Sequence, residues 1–283
     1  QTCALPISGD EIAEVRANYA ALVAMCDHYL GTLLDRFDAL DLWKDTALVV
    51  TTDHGFLLGE HDWWGKNLAP VYDQIARVPL IVWHPDHADK GGQRRQSLTQ
   101  VTDLMPTILE WFGQPIPAEV TGRSLTPVLA GDTPIRSSAI YGYFGAACNI
   151  TDGHHTWLCY PESLDATGLH EYTLMPTRFG RMFTPEELRG AELAPPFNFT
   201  KGVPVLKLPP QVTPDNQASA MDGAFAFQDA VSRLYHIDSD PEQREPVEDS
   251  AVIARLNAEM ARQFALHDAP RGLYARLGLT EPT

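Results

Sequence analysis

The chain has 283 residues, 44% of them hydrophobic and 20% charged, which is material for roughly two domains with a sizeable buried core. Its 37 acidic side chains outweigh 21 basic ones and give a net charge of −16, a field that repels phosphate backbones and argues against nucleic-acid binding. Cysteines at positions 3, 26, 148 and 159 form neither a CxxC pair nor a dense framework, which excludes a disulfide-stapled miniprotein and a zinc ribbon. No apolar run reaches the roughly 18 residues of a membrane span.

The chain opens on Gln1, and residues 1–8 read as a non-native lead-in, so the chain is expected to be the C-terminal part of a longer protein. From Asp10 the apolar positions Ile12, Val15, Tyr19, Leu22, Cys26, Leu30, Leu33 and Phe37 recur at steps of three and four, the spacing of one helical face. Ser8 with Glu11 supplies a capping box at its start. After a polar break, Thr46 to Thr52 is short, apolar and rich in branched residues, as suits a strand buried on both faces. A long helix feeding such a strand predicts a parallel α/β sheet with helices outside. A second strand is expected over Val78 to Trp83, and a helix over Thr102 to Phe112, with Pro106 in its first turns and Gly113 as its stop.

Composition changes beyond about Gly131. Short strand-like pieces at Ala139 to Phe144, Trp157 to Tyr160 and Leu234 to Ile237 predict a small antiparallel appendage. Prolines at 195, 196, 204, 209, 210 and 214 mark an extended connection, and Val252, Leu256, Met260 and Phe264 a terminal amphipathic helix. The expected domains are 1–135 and 136–283. Cys148 and Cys159 lie eleven residues apart and are expected as free buried thiols, with pairing across neighbouring strands of an exported protein as the alternative.

The run that carries chemistry is Thr51-Thr52-Asp53-His54-Gly55, then Leu58-Gly59-Glu60-His61, then Lys66. It begins where a buried strand ends, the place where open α/β sheets bind ligands. Asp53 offers a hard oxygen and His54 a neutral nitrogen, a pair able to share one divalent ion, while Gly55 is expected to let the chain turn sharply away. Lys66, twelve residues beyond His54, could hold an anionic group beside that ion as a point charge. Taken singly, each residue has a plainer reading as turn cap, packing group or solvated charge. A zinc-protease reading fails, because neither HExxH nor HxxEH surrounds Glu60-His61.

In this order, followed by Arg77-Val78-Pro79-Leu80-Ile81-Val82, the run resembles the sulfatase family of the alkaline-phosphatase superfamily. Val101-Thr102-Asp103-Leu104-Met105-Pro106-Thr107, Gly122-Arg123-Ser124-Leu125 and Leu234-Tyr235-His236-Ile237 with Asp240-Pro241-Glu242 are similar to later family segments. The resemblance implies part of a doubly wound, mostly parallel sheet with a smaller C-terminal α+β subdomain, and hydrolysis of sulfate monoesters. It implies Asp53 and His54 as ligands of a divalent metal, calcium by the family's habit, and Lys66 as the catalytic group on a sulfate oxygen. His61, Trp63 and Trp64 would line the same pocket, with packing of the loop as their alternative role. The substrate class implied is a small anionic sulfate ester, such as a sulfated sugar or an aryl sulfate.

The family nucleophile, a formylglycine made within a C/S-x-P/A-x-R motif, is expected upstream, because no such motif occurs in these 283 residues. Cys3 lacks the spacing and the Arg. The chain alone is therefore expected to bind metal weakly and to be inactive. Two other readings stand beside this one: a phosphonate monoester or phosphodiester hydrolase of the same superfamily, and a non-catalytic binding or scaffold protein. Compartment and oligomeric state are left open.

Overall fold

The structure is a computed structural model that describes residues 8–66, 70–163, 168–175, 177–178, 181–209 and 231–282. It divides into two compact units, one of Gln1–Gln96 with Leu129–Asp132 and one of Ser97–Val128 with Thr133–Thr283. Among the described residues no helix is long and apolar enough to cross a membrane.

The first unit opens with α1 (Gly9–Ala39), and its start is the capping box expected: the Ser8 hydroxyl accepts from the Glu11 N–H at 3.2 Å and the Glu11 carboxylate accepts from the Ser8 N–H at 2.9 Å. The apolar stripe is present in register but is not a core within this unit. Phe37 is buried, Ile12 and Leu30 are partly so, and Val15, Tyr19, Leu22, Cys26 and Leu33 stay exposed. Size explains this. A helix of 31 residues is about 46 Å long, whereas the larger of the unit's two described sheets has two strands of four residues, each about 13 Å.

Those strands are β1 (Leu48–Thr51) and, after β2 (Leu57–Leu58), β3 (Trp64–Gly65) and α2 (Asp73–Ala76), β4 (Leu80–Trp83). The class is mixed α/β as expected, but β1 and β4 run antiparallel, Leu48 opposite Trp83 and Thr51 opposite Leu80. Every strand pairing among the described residues is antiparallel. A parallel pair needs a crossover that carries the chain back to the starting edge, usually a helix of ten or so residues. Among its described residues the 52–79 connection holds the four-residue α2, a 3-10 turn at Glu60–Asp62 and the β2–β3 hairpin, and the chain returns beside itself. Nor is β1 buried on both faces, for its first three residues are partly exposed and Thr51 is exposed. Trp43 packs at 4.7 Å against Phe37 and 5.2 Å against Trp83, joining the end of α1 to the sheet.

The second unit begins with a single 3-10 turn over Val101–Asp103 that runs into α3 (Leu104–Trp111), with Pro106 in the first turn and Gly113 at φ 61° ending it, as expected. The Asp103 carboxylate is fully buried and holds this corner together. It accepts from the backbone N–H of Gln100 at 2.7 Å and of Arg123 at 2.8 Å, and is clamped by both terminal nitrogens of Arg136. The Thr107 hydroxyl donates to the Asp103 carbonyl and accepts from the Leu125 N–H at 2.9 Å. A Cβ on Gly122 would sit 2.0 Å from the Thr102 carbonyl oxygen. The two segments resembling family motifs at 101–107 and 122–125 are thus halves of one lock.

Beyond α4 (Thr126–Gly131) come β5 (Ala139–Gly142), β6 (Cys148–Thr151) and β7 (His155–Cys159), then β8 (Glu171–Thr173), β9 (Thr177–Arg178), β10 (Arg181–Met182), β11 (Glu192–Ala194), β12 (Val205–Leu208) and β13 (Arg233–His236). One sheet has the order β13-β7-β6-β5, a second β11-β12-β8, and β9 pairs with β10. The antiparallel appendage is as expected, with β6 and β8 to β12 added to it. Pro204 and Pro209 flank β12 rather than interrupting it, since proline is tolerated just outside a ladder.

The core of this unit forms where α5 (Ser250–Leu266) lays Leu256, Met260 and Phe264 against Ile150, Trp157, Cys159 and Leu234, with α6 (Arg271–Arg276) adding Tyr274. Asn149, in the N-x-T triplet Asn149-Ile150-Thr151 of the form that glycosylation uses, is fully buried in β6, and Asn198, in the like triplet Asn198-Phe199-Thr200, donates its amide to Asp268 at 2.7 Å.

Glu259 on α5 accepts from Arg262, Ser138 and Gln263. The Arg262 guanidinium is the main reason its carboxyl is held down at about 2, with the Ser138 and Gln263 hydrogen bonds adding to it against partial burial. A depressed carboxyl contributes stability above its unfolded value and loses it as pH falls toward the folded one. We expect Glu259→Gln to narrow the stability gap to the parent chain as pH drops from about 4.5 to about 2, the lost contribution being on the order of 2–3 kcal/mol at neutral pH, as read from urea melts.

Candidate active site

The loop leaving β1 is held by backbone before any side chain acts. The Gly55 N–H donates to the Ile75 carbonyl at 2.8 Å, and a Cβ at position 55 would lie 1.8 Å from the Gln74 carbonyl oxygen. Gly55 is absent from the residues of positive φ, so it serves close approach of two backbones rather than the sharp turn expected from the sequence. Gly55→Ala should therefore push residues 53–55 away from 74–75 and cost about 1–3 kcal/mol or more, seen as a lower thermal midpoint. A midpoint within a degree of the parent's would contradict this packing.

That anchor fixes three polar groups. The Asp53 carboxylate accepts from the His54 N–H at 3.0 Å and the Thr52 hydroxyl at 3.2 Å, and its other oxygen lies 3.1 Å from His54 Nε2. His54 Nδ1 faces the Gly55 carbonyl oxygen at 3.0 Å. A carbonyl can only accept, so Nδ1 carries the proton and Nε2 presents its lone pair. Lys66 Nζ is in direct contact with that Nε2. The structure thus brings Asp53, His54 and Lys66 around one point, with Asp53 exposed and the other two half-buried. Partial desolvation, the largest single influence on Asp53, raises its carboxyl pKa, but the His54 N–H, the imidazole and the Thr52 hydroxyl together outweigh it and leave the group below its ordinary value. It is an anion at neutral pH.

A carboxylate oxygen and an imidazole lone pair directed at one place make two donors suited to a divalent cation. Among the described residues no group of three His, Cys, Asp or Glu side chains could hold a metal. The fit is therefore that of part of a coordination shell. Lys66 occupies the Nε2 lone pair, so a cation bound there would turn the ammonium out toward its other ligands, where it could meet an anion.

The neighbouring loop residues have internal partners. His61, at φ 55°, stacks on Tyr72 with ring centroids 3.6 Å apart. Trp64 lies under the Arg16 guanidinium at 5.8 Å, and Arg16 Nε donates to the Leu58 carbonyl at 2.9 Å, tying α1 to the loop. Arg16 and Tyr72 had no motif to flag them: Arg16 contacts a ring face and a backbone carbonyl, and Tyr72 stacks on His61.

The Sulfatase family model matches residues 6–114. Over this segment the chain is similar to sulfatases. The sulfatase segment is 36% identical over 131 residues to N-acetylglucosamine-6-O-sulfatase of Bacteroides thetaiotaomicron, covering 45% of this chain and 23% of that protein. It is likewise 36% identical over 124 residues to the multifunctional alkaline phosphatase superfamily protein PehA of Trinickia caryophylli, covering 44% of this chain and 24% of that one. The match thus spans about a quarter of the length of these curated relatives.

Two solved structures carry the likeness further along the chain. A protein in complex with its substrate D-glucosamine-2-N,6-O-disulfate superposes with a TM-score of 0.61 at 19% identity, over 93% of this chain and 42% of that one. A 2-O GAG sulfatase does so at 0.59 and 17%, over 99% and 49%. At these identities the likeness concerns fold alone, and it extends the alkaline-phosphatase-like α/β assignment through the C-terminal unit. The segments around Gly122-Arg123 and Leu234-Tyr235 lie beyond the family match and share only that likeness of fold.

Proposed function

We propose that the whole protein hydrolyses sulfate monoesters, with Asp53 and His54 as two ligands of a divalent metal, calcium in the first instance, and Lys66 on a sulfate oxygen. The observation that carries this reading is the meeting of carboxylate, imidazole lone pair and ammonium at the end of β1, inside the segment that matches sulfatases. When bound, the metal would supply Lewis acidity toward the sulfuryl oxygens. Asp53 would neutralise cation charge, the Gly55 carbonyl would hold His54 in the tautomer that offers Nε2, and Lys66 would bind the substrate anion and offset charge developing on it. The remaining ligands and the formylglycine nucleophile belong to other parts of the whole protein, and this chain alone is inactive. His61, Trp63 and Trp64 shape the rim.

A sulfated sugar is the favoured substrate, because the first relative above is a sugar sulfatase and the substrate-bound structure holds a glucosamine disulfate. Hydrolysis of a phosphonate monoester or phosphodiester is the second reading, supported by a relative described as a multifunctional alkaline phosphatase superfamily protein. Turnover of an aryl sulfate, a sulfated glucosamine, a phosphonate monoester and a phosphodiester by the whole protein separates them. We expect the highest kcat/KM on a sulfate ester. A higher value on either phosphorus ester would overturn the assignment, and no turnover of any, together with a coding sequence lacking C/S-x-P/A-x-R, would favour the scaffold reading.

A further inference from the structure

We propose that Cys148 and Cys159 form a cross-strand disulfide site that staples the β6–β7 hairpin under the C-terminal helices. In the hairpin register Cys148 is directly opposite Cys159, the outermost of four pairs that continue through Asn149–Leu158 and Ile150–Trp157 to Thr151–Thr156. Directly opposite residues on an antiparallel pair project from the same face with Cα atoms about 4.5–5.5 Å apart, inside the roughly 4.4–6.8 Å that a disulfide spans. The face is settled by the core, since Cys159 lies in it with Ile150, Trp157, Leu256 and Phe264, and Cys148 packs against the same cluster. The thiols' contacts are weak sulfur ones, Cys148 to the Asn149 carbonyl at 4.0 Å, and Cys159 to the Leu277 carbonyl at 3.8 Å and to the Trp157 side chain. Turning both side chains toward each other therefore sacrifices little. The third described cysteine, Cys26, stands exposed on α1.

The chemistry is thiol–disulfide exchange with a small-molecule disulfide such as oxidised glutathione. The thiolate of one cysteine attacks the reagent's S–S bond and expels one thiolate. The other cysteine then attacks the mixed disulfide and expels the second, so two protein thiols are oxidised while one disulfide becomes two thiols that take up the two protons. Timing follows from burial, which pushes the Cys148 thiol up to about 12, with Cys159 adding to it, and the Cys159 thiol up to about 11. Once α5 and α6 cover the hairpin neither sulfur is a ready nucleophile, so the bond closes during folding.

The full chain, refolded from urea in reduced and oxidised glutathione, then denatured, alkylated with iodoacetamide and cut with trypsin, tests this. Residues 137–178 contain no internal Lys or Arg, so both cysteines fall in one peptide, expected unalkylated and about 2 Da lighter than the dithiol form. Adding the same buffer to the folded, reduced chain should close the bond at least about tenfold more slowly. Cys26→Ser should leave closure unchanged, and Cys148→Ser should return Cys159 to full alkylation. Full alkylation of 137–178 after oxidative refolding would overturn the proposal, as would loss of the closed peptide in Cys26→Ser or closure equally fast in the folded chain.

Discussion

Asp53→Ala in the whole protein is expected to abolish metal retention and turnover together, whereas Lys66→Ala keeps the metal and loses about 10²–10³ in rate, the usual effect of removing one group that stabilises developing charge. The two side chains meet at the same His54 Nε2, one 3.1 Å away as a carboxylate and the other in contact as an ammonium, yet their charges act oppositely on a cation. Removing the carboxylate takes away the anionic donor and leaves the imidazole facing an ammonium whose charge repels a divalent ion. Removing the ammonium uncovers the Nε2 lone pair and takes away a competing positive charge, so calcium affinity should hold or rise. Isothermal titration with calcium and single-turnover rates on the same preparations read the two effects independently. Equal metal loss in both variants would contradict the separate roles, even if both were inactive.

Much of this site was legible as sequence because it is local: Asp53 and His54 are adjacent, Lys66 follows on the same loop, and the run ahead of them reads as a strand. The helical periodicity of α1 and α5 was equally direct, but periodicity reports which face is apolar and not whether anything covers it, and the two helices differ in that respect. Leu256, Met260 and Phe264 are buried, while Leu22 and Leu33 on the same kind of stripe are exposed. Strand direction was not legible, since an apolar run such as Leu48–Thr51 looks alike whether its partner runs with or against it. β6 escaped notice because its four residues, Cys148-Asn149-Ile150-Thr151, place a polar amide at a fully buried position. Gly55 was picked out correctly but for the wrong geometric reason, because a close backbone neighbour twenty residues away leaves no trace in the tripeptide.

The largest effect on stability should come from Asp103→Asn, which leaves the Arg136 charge without its partner in a place where only 7% of that side chain and none of the carboxylate is exposed. Breaking one half of a buried ion pair costs about 3–5 kcal/mol, a fall in thermal midpoint of about 6–20 °C for a unit of this size. Arg136→Met should cost less. The carboxylate would keep the N–H groups of Gln100 and Arg123 as donors, whereas Arg136 is given no comparable second acceptor inside the lock. Replacing both residues with leucine and methionine removes the unpaired charge but strands those same two N–H groups, at about 1–3 kcal/mol each, so the double variant should not recover the parent's stability. Urea melts of the three variants decide the matter: an Asp103→Asn loss below about 1 kcal/mol, within the ordinary range for a surface pair, would mean that the joint between residues 100–107 and 122–125 rests on its other contacts, the Thr107 hydroxyl bridge among them.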